Sequence, residues 1–291
     1  MRQAMLVSYY YFKRADFDAL FAGFCEKPKV FADSGAFSAK SLGADITVGA
    51  YAAWVRRWSH HFEHYANLDV IGDWKATAKN QAKLESLGLA PVPVFHWGSP
   101  MAELDRLCER YSFIALGGIV KLPKRVAIPW VAECFRVAGK RAVFHGFGAT
   151  GLDLMQSFSW ESFDSSSWVM PQKFGVVTLF DGRRLRRAKY GSNASSADST
   201  FLRRGKTQAL LSRNGVTSEL LLGRAPKNAG EYQGMIAARR LERWLQARGD
   251  AMTRPMRPTL YLAINLPRHV DMARRYEREE EGTHENVHET A

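Results

Sequence analysis

Short apolar runs rich in β-branched and aromatic residues alternate with amphipathic stretches from the start of the chain to about Trp168. Such alternation marks βα units around a parallel sheet, because strands covered on both faces read as near-continuous apolar runs. The runs predict strands over Leu6–Phe12, Lys29–Gly35, Asn67–Asp73, Pro91–Trp97, Ser112–Gly118, Arg141–Gly148 and Glu161–Trp168. Between them, VGAYAAWVRRWSHHF, WKATAKNQAKLESLG, PMAELDRLCERY and IPWVAECFRVAG carry a helical period, with Pro100 in a first turn and Gly88 and Gly139 as closing residues. Units of roughly 25 residues predict a TIM-like (β/α)8 barrel, irregular in detail, rather than an open doubly wound sheet. No GxGxxG follows the first strand, which argues against a dinucleotide-binding fold.

Beyond Trp168 the pattern changes. KFGVVTLFDGRRL predicts a hairpin turning at Asp181-Gly182, Asn193–Thr200 a polar loop, and Glu231–Arg248 a basic helix. Thr259–Pro267 predicts an eighth strand that closes the barrel. The expected organisation is barrel βα units over 1–170, a basic C-terminal extension over 171–276 that completes the barrel and binds nucleic acid, and an acidic flexible tail over 277–291.

Composition refines this reading in two ways. With 46% hydrophobic residues in 291, the chain can bury a barrel-sized core, and no apolar run approaches the roughly 20 residues of a membrane span. The N-terminal MRQAMLVSYYYFKR has too short an apolar stretch for a secretory signal, so no membrane association and a cytoplasmic location are expected. Charge is unevenly spread: 19 basic against 16 acidic residues give +3 over 1–170, 21 against 7 give +14 over 171–276, and 1 against 6 give −5 from Glu277. A block of that sign, with Arg183, Arg184, Arg186 and Arg187 within seven residues of Asp181, suits a nucleic-acid backbone. Cys25, Cys108 and Cys134 lie far apart in helical patterns, so they predict buried free thiols, with no metal cluster and no cofactor.

In a barrel of this kind the C-terminal strand ends share one mouth, where chemistry is carried. Those ends read Asp33, Asp73, His96, Gly117-Gly118, His145-Gly146 and Asp164. Each has a plain structural alternative: Asp73 or Asp164 as a helix cap, either histidine as a hydrogen-bonded core residue, the glycines as tight turns. Together, three carboxylates, two imidazoles and two glycine sites on one rim point to a ligand.

FADSGAF, LDVIGD, IALGGIV, FHGFGATG and SFDSSSWVMPQKFG resemble, in order and spacing, the signature segments of tRNA-guanine transglycosylases. The resemblance covers about Phe31–Gly175. It implies a barrel that exchanges guanine in a polynucleotide for a free 7-deazaguanine base. On that likeness Asp164 is the nucleophile, Asp33 the general acid/base, and Phe37 a wall stacking on the base, within the segment that includes Ser34 and Gly35. Asp73 would read the guanine edge, Gly117 and Gly118 would offer backbone amides, His96 lies on the strand that bears a glutamine in the family, and His145 and Gly146 stand at an apolar wall. The chain departs from the tRNA enzymes in having no cysteine after Cys134, so their zinc subdomain is missing. A shortened, zinc-free member with its own basic region is most similar to the phage and bacterial DNA-guanine transglycosylases, which install 7-deazaguanines such as 7-cyano-7-deazaguanine in DNA. DNA is therefore the expected partner, with tRNA as the alternative substrate, and a catalytically inactive nucleic-acid-binding barrel as the reading from another class. Two carboxylates suit breakage of an N-glycosidic bond, one attacking the sugar and one managing the proton of the base. The extracted base would be stacked by aromatics such as Trp74, Trp97 or Trp168.

Overall fold

The computed structural model describes residues 2–120, 122–149, 151–169, 174–226, 228–250 and 257–288. They form two compact units: Met1–Ser165 with Thr259–Ala291, and Ser166–Pro258. The second unit is thus inserted, in sequence, within the first, where a division near residue 170 with a single C-terminal extension was expected.

The first unit is an α/β fold on eight parallel strands: β1 (Ala4–Ser8), β2 (Lys29–Asp33), β3 (His64–Tyr65), β4 (Val94–His96), β5 (Phe113–Gly117), β6 (Val143–Gly146), β7 (Ser162–Ser165) and, from beyond the insertion, a strand over Thr259–Ile264. That last strand lies between β1 and β7, as its apolar run predicted, with Met5 opposite Leu262 and Asp164 opposite Tyr261. The sheet order runs from β3 through β2, β1, the Thr259–Ile264 strand, β7, β6 and β5 to β4. An isolated parallel bridge joins Ala66, next to β3, to Val92, ahead of β4. Its amide bonds run from Asn67 to the Val92 carbonyl (2.9 Å) and from Val92 to the Tyr65 carbonyl (2.8 Å).

Side chains alternate along each strand, so register fixes which residues share a face. Leu6, Phe31, Ala66, Val94, Ala115, Tyr261 and Ala263 pack into one cluster on the inner face. Val30, Ala32, Ile114, Leu116, Leu260 and Leu262 occupy the other parity and are also buried. Both faces are therefore covered, as the continuous apolar runs require.

Three expected strands end elsewhere. Tyr9–Phe12 leaves the first run to form the helix α1, because the Ser8 hydroxyl accepts from the Tyr10 amide at 3.2 Å and turns the chain. In Asn67–Asp73 the backbone is bonded by side chains of a following helix, Asn80 Nδ2 to the Leu68 carbonyl (2.8 Å) and the Val70 amide to Thr77 Oγ1 (2.9 Å), and no ladder forms. The last run stops at Ser165, and Trp168 is buried rather than open for stacking.

Further helices of this unit are α2 (Phe17–Phe21), α3 (Ala36–Ser41), α4 (Val48–Trp58), α5 (Trp74–Ser86), α6 (Met101–Arg110), α7 (Lys124–Ala138) and α8 (Leu152–Ser157). A helix over Pro267–His288 runs through the segment expected to be a flexible acidic tail. Its Glu277 is buried and accepts the amides of Cys25 (2.9 Å) and Glu26 (3.4 Å). Residues 289–291 lie outside the described ones. Cys25 itself is exposed in the loop before β2, contrary to the expected buried thiol, while Cys108 and Cys134 are buried.

In the second unit β8 (Val176–Phe180) and β9 (Leu185–Lys189) form the expected antiparallel hairpin. The polar stretch after it is not all loop: Ser195 and Asp198 form a capping box that starts α9 (Ser196–Arg203). Then follow α10 (Gly205–Arg213), α11 (Ser218–Leu221) and α12 (Ala229–Asp250), the last containing the expected basic helix. Val177, Leu179, Leu202, Leu211, Val216 and Leu220 form its core. Asn214 is fully buried and its amide extends the hairpin edge, accepting from the Phe180 amide (2.8 Å) and donating to its carbonyl (3.2 Å). Residues 170–173, which carry part of the last signature segment, lie outside the described ones. Among the described residues no helix is long and apolar enough to cross a membrane.

Gly35 shows how tightly the chain leaves β2. It has φ +75°, and a Cβ there would stand 2.3 Å from Ser8 Oγ and 2.5 Å from Tyr10 Cβ. Gly35→Ala should lower the unfolding free energy by about 2 kcal/mol or more, measured by urea denaturation, because left-handed strain and steric overlap add.

Candidate functional site

The register that builds the inner face also carries it to the strand ends. Ser8 is opposite Asp33, His96 opposite Gly117, and His145 opposite Ser162. By parity with Leu6, Phe31, Val94 and Ala115, the inner face ends in Ser8, Asp33, His96, Gly117, His145 and Asp164. Three of the expected residues are thereby placed differently. Gly146 directly follows His145 and must face the opposite way; a Cβ there would meet Ala149 at 2.7 Å and Trp160 at 2.9 Å. Gly118 is exposed, with φ +79° against Trp97. Asp73 is exposed and caps α5, accepting the Ala76 amide at 2.9 Å.

The carboxylate that enters the mouth from this loop is Asp69. Its Oδ1 accepts from Ser34 Oγ (3.2 Å), and its Oδ2 lies 2.9 Å from His96 Nε2. Because an ionised carboxylate only accepts, His96 carries its proton on Nε2 in this pair. The His96 ring fills the space a side chain at Gly117 would need: a Cβ there would stand 2.6 Å from its Cδ2. Gly117 therefore holds the imidazole against Asp69, while its own carbonyl accepts the Trp97 amide (3.1 Å).

Asp33 sits at the end of β2 with Oδ2 accepting the Gly35 amide at 2.9 Å. Burial, then the charges of Asp69 and Asp164, push its pKa up to about 7. The hydrogen bonds from the Gly35 and Ser34 amides oppose that rise without cancelling it. Asp33 can therefore keep a proton near neutrality and exchange it.

Asp164 is nearly buried, and its Oδ1 accepts the Gly148 amide at 2.7 Å. His145 is fully buried beside it. Nδ1 is 2.8 Å from Ser162 Oγ, and Nε2 is 3.5 Å from Asp164 Oδ1, with no hydrogen-bond partner among the described residues. The Asp164 charge favours the tautomer with the proton on Nε2, so Ser162 donates to Nδ1 and Nε2–H faces the carboxylate. Phe31 lies against this ring, with centroids 4.4 Å apart.

Large apolar side chains are exposed on the segments that follow the strand ends: Tyr11 after β1, Phe37 and Leu42 after β2, Val70 after β3, Trp97 after β4 and Val120 after β5. Of these, Phe37 and Trp97 were anticipated from the sequence. A cleft of about 310 Å³ lined by residues of α5 and α6 includes Trp74 and Arg106, but none of the three carboxylates.

In the other unit the four arginines are not equivalent. Asp181 accepts the amides of Arg183 (3.1 Å) and Arg184 (3.0 Å), pairs with the Arg186 guanidinium, and lies 3.8 Å from that of Arg184. Arg183 and Arg187 form no ion pair among the described residues.

Asp33 makes stability depend on pH in a defined direction. Its folded value lies above the ordinary 3.8, so between the two the folded chain holds a proton that the unfolded chain lacks, and stability falls as pH rises towards about 7. Asp33→Asn should remove that slope. The difference in thermal midpoint between variant and wild type should move in favour of the variant from pH 5 to 7.5 and then level off; a difference independent of pH would contradict the raised value.

Searches against protein-family models and curated proteins match this chain to none.

Proposed function

We propose that the chain is a DNA-guanine transglycosylase, exchanging guanine in DNA for a free 7-deazaguanine base through a covalent glycosyl-aspartate. The observation that carries the reading is two carboxyl groups in different settings on the inner face at the strand ends: Asp33, whose proton affinity is raised by burial and by the charges of Asp69 and Asp164, and Asp164, whose Oδ1 accepts the Gly148 amide. One carboxyl group that can hold a proton and a second carboxylate free to attack are what double displacement at a sugar carbon requires. In this reading the eight-stranded sheet is a closed, irregular (β/α)8 barrel with the Ala66–Val92 bridge as its last seam.

Asp164 Oδ2 attacks C1′ while the C1′–N9 bond breaks, and its electron pair leaves on the purine, which takes a proton from Asp33. The incoming 7-deazaguanine then gives its N9 proton to Asp33 and attacks C1′, and the ester bond to Asp164 breaks. Two inversions retain the β configuration. The Gly148 amide holds Oδ1, leaving Oδ2 for the attack. The base edge is read by Asp69 in place of Asp73, with Ser34 and His96 fixing that carboxylate. A purine edge donating to a buried carboxylate is selective through what a wrong base would leave unpaired. The exposed Phe37 and Trp97 suit stacking of a base drawn from the duplex and of its neighbours. The basic hairpin unit supplies phosphate contacts, chiefly through Arg183 and Arg187, which form no ion pair among the described residues.

The test is nucleoside mass spectrometry of DNA, and in parallel of tRNA, incubated with the protein and 7-cyano-7-deazaguanine. Incorporation into DNA supports the reading, incorporation only into tRNA assigns the other polynucleotide, and incorporation into neither rejects it. Asp164→Ala should reduce exchange by at least about a thousandfold and abolish the covalent protein–DNA adduct seen on denaturing gels, while DNA binding stays within about tenfold. Changing Arg183, Arg184, Arg186 and Arg187 to Ala should flatten the dependence of DNA affinity on salt, with the largest loss from Arg183 and Arg187, and weaken binding evenly across sequences. Wild-type salt dependence in that variant would make the run a solvated face.

A further inference from the structure

A second cluster of titratable side chains lies apart from the carboxylates of the mouth. We propose that Asp18, His60 and His61 bind a divalent transition metal, of which zinc is the reference ion. Asp18 is the second residue of α2, and the two histidines belong to the short turn Ser59–His61 that follows α4 and leads into β3. They therefore stand near the start of β3, whereas Asp33 and Asp164 stand at C-terminal strand ends.

His60 Nε2 is 3.3 Å and His61 Nε2 2.7 Å from the same oxygen, Asp18 Oδ1, and the three donor atoms lie within 4.8 Å of one another. Zinc bonds of about 2.0–2.1 Å to nitrogen and oxygen in a tetrahedron place neighbouring donors about 3.3 Å apart. The His60–Asp18 spacing already has that value. The His61–Asp18 spacing needs to open by a fraction of an ångström, and the 70% exposed Asp18 side chain is free to swing.

The cluster has one fixed ligand and two adjustable ones. His61 is 12% exposed and held by rings of Phe17, Phe21 and Trp58, with centroid separations of 6.3, 5.5 and 6.1 Å. His60, at 57% exposure, lies against His61 with centroids 4.3 Å apart, and both Nε2 atoms reach the same Asp18 oxygen. Without a metal both rings present Nε2–H to one carboxylate oxygen. With a metal, the ring protons move to Nδ1 and both Nε2 lone pairs and the carboxylate bind the cation. Two imidazoles and one carboxylate are the donor set that zinc, nickel and copper prefer over magnesium or calcium. The remaining coordination positions face solvent. A bound ion would link α2 to the turn before β3, segments 42 residues apart in sequence, and so stabilise the folded chain.

The experiment uses the full chain without a histidine tag, freed of metal by chelator and titrated with zinc against a chromophoric competitor. One ion per chain with Kd of about 10 µM or tighter is expected. The thermal midpoint should rise by roughly 5 °C at a hundredfold excess of zinc over Kd. His60→Ala and Asp18→Asn alter exposed side chains and should fold, and each should weaken binding at least tenfold. His61→Ala, whose ring is packed, is read only with circular dichroism that matches wild type. Cobalt should give visible absorption lost in the same variants. Failure to bind at 100 µM zinc, binding unchanged in both His60→Ala and Asp18→Asn, or binding lost only in Cys25→Ser, which would assign the exposed thiol instead, each overturns the proposal.

Discussion

Asp33 and Asp164 belong to one sheet because the strand Thr259–Ile264 stands between β1 and β7. Without it β1, whose Ser8 pairs with Asp33 of β2, and β7, which carries Asp164, would each present an unpaired edge. Its register is equally constraining. Met5 against Leu262 and Asp164 against Tyr261 set both neighbours on the same parity, and a slip of one residue would turn one carboxylate outward. Every feature of the mouth inherits this register.

The mouth also concentrates an unfavourable charge. Asp33, Asp69 and Asp164 repel one another in a poorly solvated place, and the fold answers each differently. Asp69 is met by Ser34 and His96, Asp164 by the Gly148 amide with His145 beside it, and Asp33 by two local amides that leave its proton affinity raised. Gathering three carboxylates in so dry a place costs stability that apolar residues at the same positions would not.

Much of this was legible in the sequence, and the failures have identifiable causes. Apolar runs found seven of the eight strands, the late strand Thr259–Ile264 among them, because parallel strands buried on both faces leave a strong signal. The eighth, His64–Tyr65, was misplaced: Asn67–Asp73 looks like a strand, yet Thr77 and Asn80 of α5 satisfy its backbone. That error moved attention to Asp73, the cap, and away from Asp69, four residues earlier and apparently inside the run. Asp33 and His96, which end their strands, and His145 and Asp164, which stand next to last in theirs, were recoverable because those strands were read correctly. Gly146 was not, since adjacent residues on a strand cannot both face inward. The pairing of Asp181 with Arg184 and Arg186 was hidden because the acid sits in the turn that also defines the hairpin. The helix through Glu277 was missed because its acidic composition resembles a solvated tail, while a partner amide 252 residues away leaves no local trace.

Inserting residues 166–258 between β7 and its neighbour has a consequence for the chain as it is made. A ribosome that has released Ser165 has released seven strands of the sheet, but the edges of β1 and β7 find their partner only after Ile264 emerges. At roughly 5–20 residues per second that interval is on the order of ten seconds. For that time two open parallel edges, apolar on both faces, are available to other nascent chains. The inserted unit, with its own core, can fold meanwhile and bring its two ends out in order. Yield in a cell should thus be governed by synthesis rate and chaperone supply as much as by the stability of the finished protein.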